Sequence, residues 1–125
     1  MIILLIEPDI QLGQIYSKAL QRAGHSLHWQ RDAQSAIEIA DTVKPDLVVL
    51  EIQLARHNGI EFLYEFRSYP DWQQTPIILN INAHELPADK HLLDKLGIRD
   101  ILYKPQTKLA DLVASVERLH DTVLV

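Results

Sequence analysis

The hydrophobic residues of this chain alternate between two patterns from one end to the other. Short continuous apolar runs, such as Ile2–Ile6 and Leu47–Leu50, are typical of strands covered on both faces. Between the runs, apolar residues recur at intervals of three and four positions, which predicts amphipathic helices. The pattern therefore predicts five strand–helix units in strict alternation, with strands over residues 2–6, 25–29, 47–50, 75–81 and 100–103.

Local signals at the helix ends agree with this division. Asp9, Asp32 and Thr107 are expected to cap helices, whereas Gly24 and Gly97 are expected to end them. The stripes expected to pack against the sheet consist, in the first helix, of Leu12, Ile15, Tyr16, Ala19, Leu20 and Ala23, and, in the last, of Leu109, Leu112, Val113, Val116 and Leu119.

Strict alternation predicts an α/β fold, a (βα)5 doubly wound parallel sheet with helices on both faces. In such sheets the functional crevice lies beyond the carboxyl ends of the strands. The residues at those ends are Glu7, Pro8 and Asp9, then Glu51, then Ile81 and Asn82, and finally Lys104 and Pro105.

Composition narrows the function classes. The chain of 125 residues has a formal net charge of -5 and 47% hydrophobic residues, which predicts one globular domain and argues against binding of nucleic acid or anionic membranes by the domain itself. It contains no cysteine, which excludes disulfides and thiolate metal sites. The N-terminus lacks a basic region and no apolar run approaches the length of a membrane helix, so we expect a cytoplasmic protein.

Four stretches together resemble the CheY-like receiver domain of two-component response regulators: "ILLIEPD", "PDLVVLEIQLARHNGIEFL", "TPIILNINAHE" and "LGIRDILYKP". The resemblance runs from residue 2 to about residue 119. It implies a flavodoxin-like strand order of 2-1-3-4-5, with a receiver-like domain over residues 1–120 and a tail or the start of a linker over residues 121–125.

The resemblance also implies site residues. In receiver domains an aspartate after the third strand accepts a phosphoryl group from a histidine kinase, two acids after the first strand help to hold Mg²⁺, and a lysine after the fifth pairs with the phosphoryl group. The acceptor position is Glu51, the acid positions are Glu7 and Pro8, and Lys104 with Pro105 match fully.

The family's switch residues are also replaced. The hydroxyl that contacts the phosphoryl group falls on Ile81 when counted forward from Pro76, or on Asn82 when counted back from Lys104. We favour Asn82, because the residues that follow it resemble the family's pattern. The aromatic switch position, three residues before the lysine, is Ile101.

These departures predict that the usual aspartyl phosphorylation is absent and that the domain is not an enzyme. Pro8 removes a metal ligand, and Glu51 is longer than aspartate by about 1.5 Å, where a misplacement of about 1 Å costs roughly 10²-fold in rate. Two interpretations of Glu51 remain open. It mimics a phosphorylated residue by pairing with Lys104, or it forms a plain ion pair with Lys104 that Glu7 tolerates.

No metal or cofactor is predicted. Glu7, Asp9 and Glu51 are the candidates for loose binding of a divalent ion such as Mg²⁺, but the capping role already explains Asp9. The six histidines have no ligand spacing and are interpreted as scattered surface residues: His25, His28, His57, His84, His91 and His120.

The predicted function is therefore that of an atypical receiver that acts by protein–protein contact, as the regulatory module of a bacterial transcriptional or signalling regulator. The alternatives are a receiver phosphorylated by a histidine kinase on a substitute acid, such as Glu51 or Asp9, and a stand-alone adaptor without an output domain. Trp72 is a second candidate contact, unless it folds onto its own loop. A homodimer through helix 4, strand 5 and helix 5 would use Lys90, Lys95, Arg99, Asp100, Glu117 and Arg118.

Overall fold

The computed structural model describes residues 1–54, 58–82 and 89–124, and their side chains as far as residue 121. Within these ranges five strands form one parallel sheet in the order β2-β1-β3-β4-β5. The strands are β1 (Ile2–Ile6), β2 (Ser26–Gln30), β3 (Leu47–Leu50), β4 (Ile77–Ile81) and β5 (Ile98–Tyr103). The predicted fold class and strand order are confirmed.

Five α-helices and two short 3₁₀ turns connect or follow the described strands. The helices are α1 (Ile10–Arg22), α2 (Ala33–Val43), α3 (Gly59–Ser68), α4 (Lys90–Lys95) and α5 (Leu109–Leu124), and the turns are Pro70–Trp72 and Lys104–Gln106. Helix α5 thus continues beyond residue 120 into the predicted tail. Within the part of the chain that the structure describes, no helix combines the length and the apolar character needed to cross a membrane.

Alternating residues of each strand supply two separate hydrophobic cores. Leu4, Val48 and Leu79 face α2, α3 and α4 in one core, while Ile3 and Val49 pack against α1 and α5 in the other. Because both faces of the sheet are covered, every residue of β3 is buried. Cover on both faces also explains why the sequence of this strand is a continuous apolar run.

Two of the three predicted helix caps are confirmed and one is wrong. Asp9 accepts a hydrogen bond from the N–H of Leu12, and Asp32 accepts one from the N–H of Ser35. Thr107 does not cap α5, because its hydroxyl donates to the carbonyl of Tyr103. Instead, Asp111 in the first turn of α5 accepts a hydrogen bond from the N–H of Lys108, the residue that precedes the helix.

The loop after α3 is fixed by packing rather than open to a partner. Trp72 is buried and stacks on Phe66, with ring centroids 4.9 Å apart. Arg67 donates to the carbonyl oxygens of Leu96 (2.8 Å) and Trp72 (2.6 Å), which joins this loop to the turn before β5. Of the two interpretations of Trp72, the structure supports folding onto its own domain.

Candidate functional site

The carboxyl ends of β1, β3, β4 and β5 meet at one edge of the sheet, as parallel strands require. They border an open cavity of about 540 Å³. Its lining comes from these strand ends, from α1 and from the start of α5: Glu7, Pro8, Asp9, Leu12, Ile15, Tyr16, Glu51, Gln53, Asn82, Lys104, Pro105, Thr107 and Leu109.

Lys104 joins two buried carboxylates at the floor of this cavity. Its Nζ lies 2.6 Å from Oε1 of Glu7 and 2.7 Å from Oε1 of Glu51. All three side chains are at most 9% exposed. The ammonium group therefore ties the ends of β1 and β3 to the end of β5.

The remaining carboxylate oxygens are held by the backbone. Oε2 of Glu7 accepts from the N–H of Asp9, and Oε2 of Glu51 accepts from the N–H of Gln53, both at 3.1 Å. Each acid thus closes a tight turn over the two residues that follow it. All four carboxylate oxygens have a donor, as buried polar groups require.

The charges at the floor are unequal, and the pKa values reflect this. Burial raises the pKa of Glu7 above its ordinary value, although the hydrogen bond from Lys104 opposes the shift. Burial alone would lower the pKa of Lys104, but the hydrogen bonds and charges of Glu51 and Glu7 outweigh it and raise the pKa. Two carboxylates stabilise the cation of Lys104, whereas the burial of Glu7 outweighs the stabilisation that Lys104 gives to its carboxylate.

Side chains from the β2 edge hold the turn after β1 in place. The indole of Trp29 donates to the carbonyl of Glu7 at 2.9 Å. The guanidinium of Arg31 donates twice to the carbonyl of Pro8, at 2.9 and 2.8 Å. The backbone that carries Glu7 is therefore positioned independently of any ligand.

The two candidates for the hydroxyl position face different surroundings. Ile81 is buried in the core on the α2–α4 side of the sheet, whereas Asn82 lines the cavity beside Lys104. Ile101 is 42% exposed and borders a separate cavity between α4 and β5. Pro105 lies at the rim of the Lys104 cavity.

The donor set does not fit the Mg²⁺ ion that the resemblance implies. Mg²⁺ needs oxygen ligands in octahedral geometry, but Pro8 offers no side-chain oxygen. The oxygens of Glu7 and Glu51 are already engaged by Lys104 and the backbone. Across the described residues, no group of three or more histidine, aspartate or glutamate side chains is arranged to hold a metal ion.

The surface proposed for a homodimer is only partly assembled. Asp100 accepts hydrogen bonds from Ser115 (2.6 Å) and Arg118 (3.1 Å), which join β5 to α5. Lys90, Lys95 and Arg99 are exposed. Glu117, in contrast, does not belong to this surface, because its carboxylate contacts His25, which precedes the opposite edge strand β2.

The interpretation of the histidines as scattered surface residues is wrong for His25. Its ring is buried, its Nε2 lies 2.8 Å from Oε1 of Glu117, and its Nδ1 lies 3.2 Å from the amino group of Met1. The ring of His120 packs edge-on against it, with centroids 5.8 Å apart. These residues are far apart in the sequence, so no local signal brings them together. His57 and His84 lie outside the described residues.

Three residues that the sequence assigned to the helix stripes packed against the sheet line the cavity instead. Tyr16 lines the cavity, where burial raises the pKa of its phenol. Ile15 and Leu109 belong to the predicted core stripes of α1 and α5, but they are 48% and 40% exposed at the rim. Helical spacing identified their face but not where the sheet beneath it ends.

Comparison with known proteins agrees with this architecture. The family model of the response regulator receiver domain matches residues 3–117. The alkaline phosphatase synthesis transcriptional regulatory protein PhoP of Bacillus subtilis is 30% identical over 103 residues, which are 82% of this chain and 42% of that protein. The Regulator of RpoS of Escherichia coli is 30% identical over 97% of this chain and 33% of its own length.

Among solved structures, the BeF3-activated N-terminal receiver domain of Klebsiella pneumoniae RstA is 28% identical, with a TM-score of 0.80. The match covers 96% of this chain and 97% of that chain. The chain spans about a third to a half of the length of the curated relatives it matches.

Proposed function

The chain belongs to the response regulator receiver domain family, and we propose that it is a receiver that signals through contacts with other proteins without aspartyl phosphorylation. Receiver domains are signalling modules of two-component systems, where they interact with histidine kinases and with output domains or other regulators. The observation that carries the proposal is the engagement of Lys104 by both Glu7 and Glu51.

Charge explains why this arrangement opposes phosphorylation. The buried floor already holds two carboxylates against one ammonium group. A phosphoryl group adds a charge of about -1.5 to -2 at neutral pH. Without Mg²⁺ the added charge would have no new partner, and an unpaired buried charge costs several kcal/mol.

The same geometry supports the plain interpretation of Glu51. The extra methylene of glutamate lets Oε1 contact Lys104 while Oε2 remains on the backbone of Gln53. A single carboxylate supplies one negative charge, which is less than a phosphoryl group carries. We therefore propose that Glu51 is a fixed structural partner of Lys104 rather than an acceptor or a full mimic of phosphoaspartate.

The length of the relatives suggests a role for this domain within a larger protein. Those relatives extend well beyond the region matched here, and one of them is a transcriptional regulatory protein. We propose that this domain is the regulatory module of a longer bacterial regulator in the cytoplasm, where response regulators typically act. A symmetric dimer through Lys90, Lys95, Arg99, Asp100 and Arg118 remains part of this proposal, without Glu117.

Intact-mass measurement after incubation with acetyl phosphate and Mg²⁺ tests the proposal. We expect the wild-type chain to gain no phosphoryl group, whereas a Pro8→Asp/Glu51→Asp variant gains one. The matched control is Pro8→Asp/Glu51→Asn, which restores the ligand but offers no acceptor. A phosphoryl group on the wild-type chain would refute the proposal. If neither chain gains one, adding Asn82→Thr to the first variant tests the missing hydroxyl.

A further inference from the structure

The buried ring of His25 connects three parts of the chain at the edge of the sheet opposite the Lys104 cavity. Its side chain is 3% exposed. Nε2 lies 2.8 Å from Oε1 of Glu117 in α5, and Nδ1 lies 3.2 Å from the amino group of Met1, directly before β1. His25 itself directly precedes β2. The ring therefore joins the amino ends of two strands to α5.

The two partners determine which ring nitrogen carries the proton. An ionised carboxylate only accepts hydrogen bonds, so Nε2 of His25 must donate to Glu117. An ammonium group only donates, so Nδ1 must be unprotonated and accept from Met1. The contacts thus require a neutral imidazole with its proton on Nε2, held between a cation and an anion. Both ring nitrogens are then hydrogen-bonded, as burial requires.

Adding a proton to this ring reverses one contact and strengthens the other. Protonated Nδ1 is a donor, and it faces the amino group of Met1, which is also a donor. The contact with Glu117 becomes an ion pair, and charge-assisted hydrogen bonds are roughly twice as strong as neutral ones. We propose that His25 is a pH-sensitive switch: the neutral ring holds both partners, and the protonated ring releases Met1 and binds α5 more tightly. Histidine suits this role because its side chain changes charge between about pH 5 and pH 8.

The other charged and titratable groups around the ring do not replace the lost contact. His120 of α5 packs edge-on against it, with ring centroids 5.8 Å apart, and its Nδ1 has no hydrogen-bond partner among the described residues. Asp46, before β3, accepts from the N–H of Ile2 at 2.8 Å, and Arg22 in the last turn of α1 is exposed. The ring contacts one carboxylate, whereas the two remaining partners carry or gain positive charge.

The switch goes beyond the proposed function, because it uses no residue of the Lys104 cavity. It lies at the amino ends of the strands, and the cavity lies at their carboxyl ends. The element that responds is α5, which supplies both Glu117 and His120. Acidification therefore changes how firmly this helix is held to the edge of the sheet.

NMR titration of the ¹⁵N,¹³C-labelled chain from about pH 8 to about pH 5 tests the proposal. Ring ¹⁵N shifts distinguish a protonated from an unprotonated nitrogen, and at the higher pH we expect the proton of His25 on Nε2. On acidification Nδ1 should become protonated, and the cross-peaks between Met1 and the ring should be lost. The amides of Ile2 and Ser26 should shift with the same midpoint as the ring, because Ile2 follows Met1 and Ser26 donates to the Met1 carbonyl at 3.0 Å.

Three variants identify the titrating group. His25→Gln replaces the ring by an amide that also donates and accepts but does not titrate, so the shifts of Ile2 and Ser26 should disappear. The control His91→Gln removes an exposed histidine of α4 and should leave these shifts unchanged. Glu117→Gln removes the carboxylate that stabilises the protonated ring, so the shared midpoint should move to lower pH by about one unit.

A fourth variant, His120→Phe, keeps the ring contact but removes the second titratable ring, so the transition should persist. Three results would overturn the inference: a ring proton on Nδ1 at the higher pH, a midpoint for Ile2 and Ser26 that differs from that of His25, or a transition that persists in His25→Gln. The first two come from the wild-type chain and do not depend on the folding of a variant. Failure of the switch leaves the proposed function unchanged, since Lys104 takes no part in it.

Discussion

Replacement of Lys104 by methionine is the most direct test of the charge arrangement at the site. Methionine has a similar length and is flexible and apolar, so it fills the space of the lysine stem without adding a charge. The change leaves Glu7 and Glu51 facing each other with no cation between them. Their second oxygens keep the backbone donors, but their first oxygens lose theirs.

The expected loss of stability is large. Removing one partner of a buried ion pair typically costs about 3–5 kcal/mol, and the side chains concerned here are at most 9% exposed. A domain of this size is stable by roughly 5–15 kcal/mol. The variant should therefore remain folded at room temperature but melt roughly 10–20 °C lower.

The loss should depend on pH in a defined direction. Burial raises the pKa of Glu7, and the largest opposing contribution is the hydrogen bond from Lys104, so the variant raises this pKa further. An acid whose pKa is higher in the folded state stabilises that state at low pH, and this contribution is lost as the pH rises through the folded pKa. The loss of stability in the variant should therefore be largest near neutral pH. It should shrink as the pH falls towards 4.5, the ordinary pKa of a glutamate.

Urea unfolding followed by circular dichroism measures this deficit at about pH 5 and about pH 7.5. Lys18→Met, at an exposed position of α1, is the control for loss of a lysine. The neutral variant Lys104→Met/Glu7→Gln/Glu51→Gln should regain most of the lost stability at the higher pH. The reasoning fails if Lys104→Met behaves like Lys18→Met, or if its deficit is the same at both pH values.

Two further predictions concern the packing that positions the site. Gly13→Ala in α1 should destabilise the domain by roughly 1–3 kcal/mol despite the higher helix propensity of alanine, because the added Cβ would lie 2.0 Å from the ring of Trp29. Thermal melting measures this effect, with the exposed Gln14→Ala as the control, and an increase in stability would contradict the prediction. Arg67→Met should lower the free energy of unfolding by roughly 2–3 kcal/mol, because two carbonyl oxygens lose their donor. Urea unfolding measures this loss, with the exposed Arg22→Met as the control, and equal stability of the two variants would contradict the structural role of Arg67.

The fold could be predicted from the sequence because each element carries a local pattern. The buried strands β1 and β3 are continuous apolar runs, and their predicted bounds agree with the structure. The predicted bounds of β2, β4 and β5 differ from the observed ones by one or two residues. In β5 a register shift places Asp100 opposite Ile78 and leaves Arg99 extra, and this irregularity has no signal in apolar periodicity.

The site could be predicted only as far as the strand ends identify it. The end of each strand brought Glu7, Glu51 and Lys104 to one edge, and pairing of Glu51 with Lys104 was among the interpretations. That Glu7 shares the same ammonium group depends on three side-chain conformations, which no spacing determines. The contact between His25 and Glu117 could not be predicted either, because it joins residues that lie 92 positions apart in the sequence.

The departures from the receiver pattern can be understood together as one change in charge. A receiver with three acids around its lysine has an excess of two negative charges at a buried site, and a divalent cation balances it. If Pro8 stands at one of these acid positions, as we propose, Glu7 and Glu51 are left against Lys104 with an excess of only one. Glutamate at position 51 then has the length to contact the ammonium group and its own backbone turn at once. Under the proposed function, the absence of a side-chain ligand at Pro8 and the longer side chain of Glu51 are consistent with each other, because each makes the site less dependent on Mg²⁺.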